Sequence, residues 1–287
     1  MKKVLVALDM SDRAGNVLRA AAAHAALVDA RLLLLRVVTP VQLPTDLMVA
    51  SPVVFAAHIL DDARADLQAR ANSLPQGQVE SVKVELGSPW KSIVDTAAQE
   101  KADMIFIGAQ GYHMVDRALG TTAARVVNHA SCPITVVRPS PAGTSVMAAL
   151  DMSDHAPHVL AAASEAARAR GATLSLIRVV PELGNIPMRE LGESLETLTQ
   201  SIVKRSRQDL EYLRESLGNV RAGGIQVRVG TPWREICAQA KGDQTSLIVL
   251  GRHGHSALAR AVGTNAARVV NHAECSVLVV PAPPSGP

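Results

Sequence analysis

The sequence predicts an α/β protein built from two tandem domains, each with a doubly wound sheet of five parallel strands. Two observations support this prediction. The chain repeats itself with a nearly constant offset, and within each copy short apolar runs alternate with longer helical patterns. Such alternation is typical of a parallel sheet with helices on both faces, because parallel strands need crossover connections. The 287 residues also suit two domains of ordinary size.

Three segments of the first half recur in the second. The recurring pairs are Val6–Asp12 with Ala148–Asp154, Gly87–Trp90 with Gly230–Trp233, and Gly120–Ala130 with Gly263–Ala273. The offset is 142 residues for the first pair and 143 for the other two, which indicates a tandem duplication. The join at 139–143 reads Pro-Ser-Pro-Ala-Gly and is rich in turn formers. We therefore predict domains at residues 1–140 and 144–282.

The first predicted strand, Val4–Leu8, is an apolar run that ends at Asp9. The Ala-rich segment from Gly15 to Asp29 is predicted to be a helix, with Ser11 or Asp12 as its N-cap.

The following elements continue the alternation. Strand two is almost wholly apolar, as is typical of a parallel strand covered on both faces. The remaining predictions for the first copy are strand Leu32–Val38, helix Phe55–Leu74, strand Ser81–Leu86, a helix from Pro89 to about Glu100, strand Met104–Ile107, helix Thr121–His129 and strand Ile134–Val137. The predicted strands of the second copy are Val146–Leu150, Leu174–Val180, Ile225–Val229, Leu247–Leu250 and Val277–Val280, with a long charged helix at about Arg189–Leu217.

Composition argues against several classes of function. Hydrophobic residues make up 48% of the chain and charged residues 19%, which favours a substantial core over disorder. A formal net charge of +3 and two residues each of Trp, Tyr and Phe provide neither a basic stripe nor a stacking platform for nucleic acid. No apolar run reaches the roughly 18 residues of a membrane span. The apolar run at the N-terminus is too short for a secretory signal. We expect a cytoplasmic protein without nucleic-acid or membrane partners.

Glycines after strand four form the candidate ligand site. Strand four runs into Gly-Ala-Gln-Gly at 108–111, then eight residues, then Gly-Thr-Thr at 120–122. The second copy reads Gly-Arg-His-Gly at 251–254 and, again after eight residues, Gly-Thr-Asn at 263–265. Glycine lets a ligand approach the backbone, and Gly-Thr at a helix N-terminus offers amide and hydroxyl donors to a phosphate. A purely structural role stays open, because sharp strand-to-helix turns also need glycine.

Other side chains suggest little further chemistry. The histidines at 253 and 255 have no third ligand nearby in the sequence, so we predict no metal site. The three cysteines are too few and too spread for a disulfide framework.

An aspartate ends strand one in each copy, at Asp9 and Asp151, where a carboxylate can accept from a ribose hydroxyl or a base edge.

The combination of motifs resembles the universal stress protein family, and specifically a tandem two-domain member. The resemblance rests on the Asp after strand one, G-x-P before helix three, G-x-x-G after strand four and Gly-Thr opening helix four. The last strands, Cys-Pro-Ile-Thr-Val-Val and Cys-Ser-Val-Leu-Val-Val, also match. It implies a Rossmann-like fold of the adenine nucleotide alpha hydrolase-like type in each half. It also implies that the last strands join the halves as an intrachain pseudo-dimer, with a further homodimer left open.

The family's ATP-binding members carry G-x2-G-x9-G-[ST], and the matching positions are implied to hold ATP, with Mg²⁺ as its companion ion. The glycines and hydroxyl residues would surround the phosphates and ribose, the aspartate would contact the nucleoside, and the valine backbone near the end of strand two would face adenine. In the first copy these residues are Asp9, Val37, Ile107, Gly108, Gly111, Gly120, Thr121 and Thr122. In the second they are Asp151, Val179, Leu250, Gly251, Gly254, Gly263, Thr264 and Asn265. Both spacers are one residue shorter than the pattern, as in one bacterial branch of the family.

The resemblance implies a nucleotide-responsive stress regulator that acts on an unknown protein partner. We predict no catalytic residues and at most weak ATP hydrolysis, because the sequence has neither a G-x-S-x-G elbow nor a carboxylate cluster for two metals. Two alternatives stay open. One is a protein–protein scaffold with degenerate ATP loops. The other is an adenylate-handling enzyme. Such an enzyme would carry a phosphate loop of the type S-G-G-x-D-S after strand one, where this sequence has Asp-Met-Ser-Asp instead.

Overall fold

The computed structural model describes residues 2–40, 52–109, 121–139, 144–182, 195–252 and 265–282, with side chains in the second range described from residue 57. The chain divides into two compact units, Met1–Arg138 and Pro139–Pro287. The described part of each unit contains five strands and four helices.

In the described part of the first unit, strands and helices alternate as the sequence predicts. The strands are β1 (Lys2–Ala7), β2 (Ala30–Val38), β3 (Val79–Leu86), β4 (Met104–Gly108) and β5 (Ile134–Val137). The helices are α1 (Ala14–Val28), α2 (Pro52–Asn72), α3 (Pro89–Gln99) and α4 (Thr121–His129). Neighbouring strands pair in parallel in the order β3-β2-β1-β4-β5. This confirms a doubly wound sheet.

The described part of the second unit repeats this arrangement. Its strands are β6 (Ser145–Ala149), β7 (Thr173–Val180), β8 (Arg221–Val229), β9 (Leu247–Gly251) and β10 (Ser276–Val280). Its helices are α5 (Ala156–Arg170), α6 (Leu195–Glu215), α7 (Pro232–Gly242) and α8 (Asn265–His272). The strand order is β8-β7-β6-β9-β10, again with parallel pairing. The predicted long helix begins at Leu195, and residues 183–194 lie outside the described part.

Burial explains why the most apolar runs form central strands. Leu32 to Leu35 in β2 are each at most 1% exposed, so both faces of this strand are covered. Leu34 belongs to a buried cluster that also contains Leu67 of α2 and Phe106 of β4. Among the described residues of the first unit, β3 pairs with β2 alone and stays partly exposed, which matches its alternating polar and apolar residues.

The start of α1 differs from the prediction. The N-cap is Arg13, rather than Ser11 or Asp12, and its side chain makes no capping hydrogen bond. The Ser11 hydroxyl donates instead to Asp9 Oδ1 at 2.6 Å, and the Ala14 N–H donates to the Ser11 carbonyl at 3.0 Å. The predicted cap was wrong because a nearby carboxylate competes for the serine hydroxyl.

A charged cluster joins β1, β3 and the end of α3 at the amino edge of the first sheet. Lys3 Nζ lies 2.9 Å from a carboxylate oxygen of Glu80 and 2.9 Å from one of Glu100. Lys83 also pairs with Glu100. The hydrogen bonds from Lys83 and Lys3 lower the pKa of Glu100 from 4.5 to about 2.

We expect acid to weaken this cluster between about pH 4.5 and pH 2. Because the pKa of Glu100 is lower in the folded state, the unfolded chain takes up the proton first as the pH falls. The contribution of Glu100 is therefore fully present above about pH 4.5 and is lost as the pH falls through about 2. Denaturant unfolding of the unsubstituted chain and Glu100→Gln should differ most at neutral pH and converge at low pH. A difference that does not depend on pH would contradict this expectation, and Glu274→Gln in the second unit serves as the control.

Candidate functional site

The carboxyl ends of β1, β2 and β4 bring predicted residues of the first copy to one edge of the sheet. The strand order reverses between β1 and β4, which is where open parallel sheets bind ligands. Ala7 of β1 pairs with Leu35 of β2 and with Ile107 of β4. Asp9, two residues beyond the end of β1, and Val37, two residues after Leu35 in β2, therefore lie at the same edge of the sheet.

The glycine and the helix that complete the first copy lie at the same edge. Gly108 is the last residue of β4 and pairs with Val137 of β5. Because β4 and β5 are parallel, the helix between them begins at the carboxyl edge, where Thr121 is exposed and Thr122 is partly buried. The first N–H groups of such a helix have no partner within it, so they can bind an anion.

The second copy places its residues in the same way. Ala149 of β6 pairs with Ile177 of β7 and with Leu250 of β9, so Asp151 and Val179 lie at the carboxyl edge. The other described members of the predicted set are Gly251, the last residue of β9, and Asn265, the first residue of α8. Five predicted residues lie outside the described part of the chain: Gly111, Gly120, Gly254, Gly263 and Thr264.

In both copies the aspartate after the first strand closes a turn with the serine two residues further on. The N–H and hydroxyl of Ser11 donate to Asp9 Oδ1 at 3.0 and 2.6 Å. Ser153 donates to Asp151 Oδ1 in the same way, at 3.1 and 2.6 Å. Within the described ranges, neither carboxylate accepts a hydrogen bond at Oδ2. One oxygen therefore orients the carboxylate and the other is free to accept from a ligand.

Sequence reasoning missed a buried arginine at the first site. Arg36 of β2 has a side chain only 4% exposed, and its Nη2 donates to the Asp9 carbonyl at 3.0 Å and to Asp66 Oδ2 of α2 at 2.6 Å. Partial burial alone would raise the pKa of Asp66, but the hydrogen bond from Arg70 and the charge of Arg36 lower it overall. A signal was present, because an arginine interrupts an otherwise apolar run as Leu-Arg-Val-Val at 35–38 and as Ile-Arg-Val-Val at 177–180.

Each half has one tryptophan, which joins its third helix to its fourth. The ring centroids of Trp90 and His129 lie 4.9 Å apart, and those of Trp233 and His272 lie 4.5 Å apart. The guanidinium carbon of Arg125 lies 5.7 Å from the centroid of Trp90. Each tryptophan thus contacts the helix that begins at the candidate site of its own half. Since the chain has two tryptophans, each half carries its own fluorophore.

Other chemistry finds little support in the described residues. Burial raises the pKa of the Cys132 thiol to about 11, so this cysteine is a poor nucleophile near neutral pH. Within the described ranges, no group of three or more His, Cys, Asp or Glu side chains is placed to hold a metal ion. None of the helices in the described ranges combines the length and the hydropathy that a membrane span requires. The carboxyl edge instead offers acceptors, backbone and a helix N-terminus, which together suit a nucleoside phosphate.

Comparison with known proteins agrees with the duplicated motifs. The model of the Universal stress protein family matches residues 1–138 and again 144–281. A universal stress protein of Mycolicibacterium smegmatis is 25% identical over 290 residues, 96% of each chain. Another, from Mycobacterium tuberculosis, is 31% identical over 235 residues, 77% of this chain and 80% of that protein. A putative universal stress protein structure from Pseudomonas aeruginosa matches with a TM-score of 0.70 and 17% identity, over 99% of this chain and 94% of that one. A family match in both halves, on a fold shared along the whole length, shows that the chain is a tandem member of the universal stress protein family.

Proposed function

We propose that each half of this protein binds ATP or a related adenine nucleotide at the carboxyl edge of its sheet. The proposal is supported by the residues that recur at the carboxyl edge of the sheet in both copies. In both copies a carboxylate follows strand one, next to the end of strand two and to the glycine that ends strand four, and one of its oxygens accepts no hydrogen bond from the described residues. A second copy with the same residues at the same edge gives the protein two candidate sites.

The roles of the described residues follow from their chemistry. The free oxygen of Asp9 accepts from a ribose hydroxyl or a base amine, and the backbone at Val37 faces the adenine. Gly108 leaves room for the ligand beside the sheet, and the N-terminus of α4 at Thr121 attracts the phosphates. Mg²⁺ would be held mainly by phosphate oxygens and water, as is usual for this ion.

In this proposal the protein is a regulator rather than an efficient enzyme. We assign no catalytic residue, and any ATP hydrolysis would be slow. Nucleotide binding at this edge would change a surface that a regulatory protein partner recognises in the cytoplasm. The regulatory response would then depend on the affinity for the nucleotide rather than on the rate of ATP hydrolysis.

The test is to denature freshly purified protein and identify the released small molecules by chromatography and mass spectrometry. Up to two adenine nucleotides per chain are expected, and a chain purified empty should release heat when titrated with Mg·ATP in a calorimeter. One nucleotide per chain would assign binding to a single half. No released nucleotide and no heat would reject the proposal and favour the protein–protein scaffold.

A further inference from the structure

We propose that the Arg36–Asp66 ion pair positions the nucleoside end of the first site and that the second half lacks an equally firm contact. The first half should therefore bind adenine nucleotide more tightly than the second. The effect on affinity rests on the proposed nucleotide function. The positioning itself is a property of the unliganded protein and can be tested without a nucleotide.

In the first half, one guanidinium connects three elements. Arg36 Nη2 donates both to the Asp9 carbonyl after β1 and to the Asp66 carboxylate of α2. The arginine side chain is only 4% exposed, whereas that of Asp66 is 41% exposed, so the guanidinium is held in place by burial while water still reaches the carboxylate. The carbonyl that it holds belongs to the same residue whose carboxylate faces the ligand. Fixing this carbonyl therefore restricts the direction of the Asp9 side chain.

The same arginine also lies next to the second predicted nucleoside contact. Val37 follows Arg36 directly in β2, and its backbone is predicted to face adenine. The Val37 position in the sheet is set by pairing with Glu85 of β3 on one side. Both predicted contacts to the nucleoside thus adjoin a side chain that is anchored to α2.

The equivalent pair in the second half is looser. Arg178 Nη1 lies 3.8 Å from Asp209 Oδ2, which is beyond hydrogen-bond distance, and the arginine side chain is 20% exposed. Within the described ranges, Arg178 makes no hydrogen bond to the Asp151 carbonyl. The turn after β6 is therefore not fastened to α6 in the way that the turn after β1 is fastened to α2.

The two turns differ in conformation although both read Asp-Met-Ser-Asp. Met152 has a φ of 60°, a left-handed conformation that costs a residue with a side chain, whereas Met10 lies outside this region. Asp9 is partly buried and Asp151 is exposed. The second turn therefore carries backbone strain at Met152 that the first turn lacks at Met10, and a ligand has more to reorganise in the second half.

Amide hydrogen exchange of the unliganded protein tests the positioning directly. Arg36→Gln should speed exchange in residues 9–13 by about tenfold, because the turn loses its fastening to β2 and α2. The matched variant Arg178→Gln should change exchange in residues 151–155 by less than about threefold. Asp66→Asn keeps a hydrogen-bond acceptor but removes the charge, so it should act in the same direction with a smaller effect. If Arg36→Gln fails to fold, the exchange measurement on Asp66→Asn takes its place.

Calorimetric titration with Mg·ATP tests the consequence for affinity. An Asp151→Asn background isolates the first half, and an Asp9→Asn background isolates the second. In these backgrounds Arg36→Gln should weaken binding by about tenfold and Arg178→Gln by less than about threefold. Melting temperatures without nucleotide distinguish a local effect from general destabilisation.

Each outcome decides between the hypotheses. Unchanged exchange at 9–13, or equal effects of the two arginine substitutions, overturns the positioning role. Faster exchange at 9–13 in a protein that binds no ATP leaves the positioning role standing and rejects the nucleotide function. Faster exchange combined with unequal losses of affinity supports both.

Discussion

Asp9→Asn is expected to weaken binding of Mg·ATP by the first half about 10- to 100-fold, which corresponds to about 1.5–3 kcal/mol. Asparagine keeps the Oδ1 acceptor that Ser11 uses, so the turn after β1 should survive. The second carboxylate oxygen becomes an amide group, which donates where the ribose or base also donates. Binding would therefore lose an acceptor and gain a repulsive contact without loss of the fold.

The fluorophores allow each half to be followed separately. With Trp233→Phe in the background, Trp90 reports on the first half, and calorimetry provides the affinity. Asp12→Asn is the matched control, because this exposed carboxylate lies on the same turn and should change affinity less than about twofold. Unchanged affinity in a correctly folded Asp9→Asn protein would remove Asp9 from the site. Asp151→Asn repeats the experiment for the second half.

Phe106→Ala is expected to destabilise the first unit by about 3–5 kcal/mol. The Phe106 side chain is fully buried in β4, and its ring centroid lies 5.4 Å from that of His24 in α1. Removing the ring leaves a cavity between the sheet and a helix, and a closely packed core refills such a space only in part. Denaturant unfolding followed through Trp90 fluorescence measures the loss.

Val249 of β9 is the matched position in the second unit, and it too is fully buried. Val249→Ala removes fewer atoms, so the loss of stability should be smaller and should affect the second unit, which Trp233 reports. A Phe106→Ala chain that unfolds within about 1 kcal/mol of the unsubstituted protein would show that the core closes around the missing ring. Equal losses of stability at the two positions would contradict the expectation that the loss grows with the side-chain volume removed.

Local patterns in the sequence determined most of the architecture. Apolar runs such as Leu32–Val38 specify central strands, because a strand buried on both faces needs no polar residues. The position of Asp9 after the first strand and that of Gly108 at the end of the fourth follow from strand boundaries alone. Parallel pairing then brings the two to the same edge, and this is why a candidate site could be predicted from one chain.

Pairing between strands decided features that local propensity could not. The sequence predicts strand Ile225–Val229, but β8 begins at Arg221. Gly223 is a weak strand former, yet a Cβ built at this position would lie 3.0 Å from the Leu174 carbonyl oxygen. Pairing with the neighbouring strand β7 therefore extends β8 over a segment whose amino-acid composition does not favour a strand.

Contacts between residues far apart in the chain decided the differences between the two halves. The sequence by itself determined a duplicated α/β fold, two aspartates and two sets of glycines, because these depend on spacing within each copy. Only the tertiary structure showed that Arg36 holds Asp9 and Asp66, whereas Arg178 lies 3.8 Å from Asp209. Nearly identical local sequences cannot encode this difference. The strength of such an ion pair depends on the burial of the arginine and on the distance to the carboxylate, 2.6 Å in the first half and 3.8 Å in the second, and both are set when the sheet and its helices pack together.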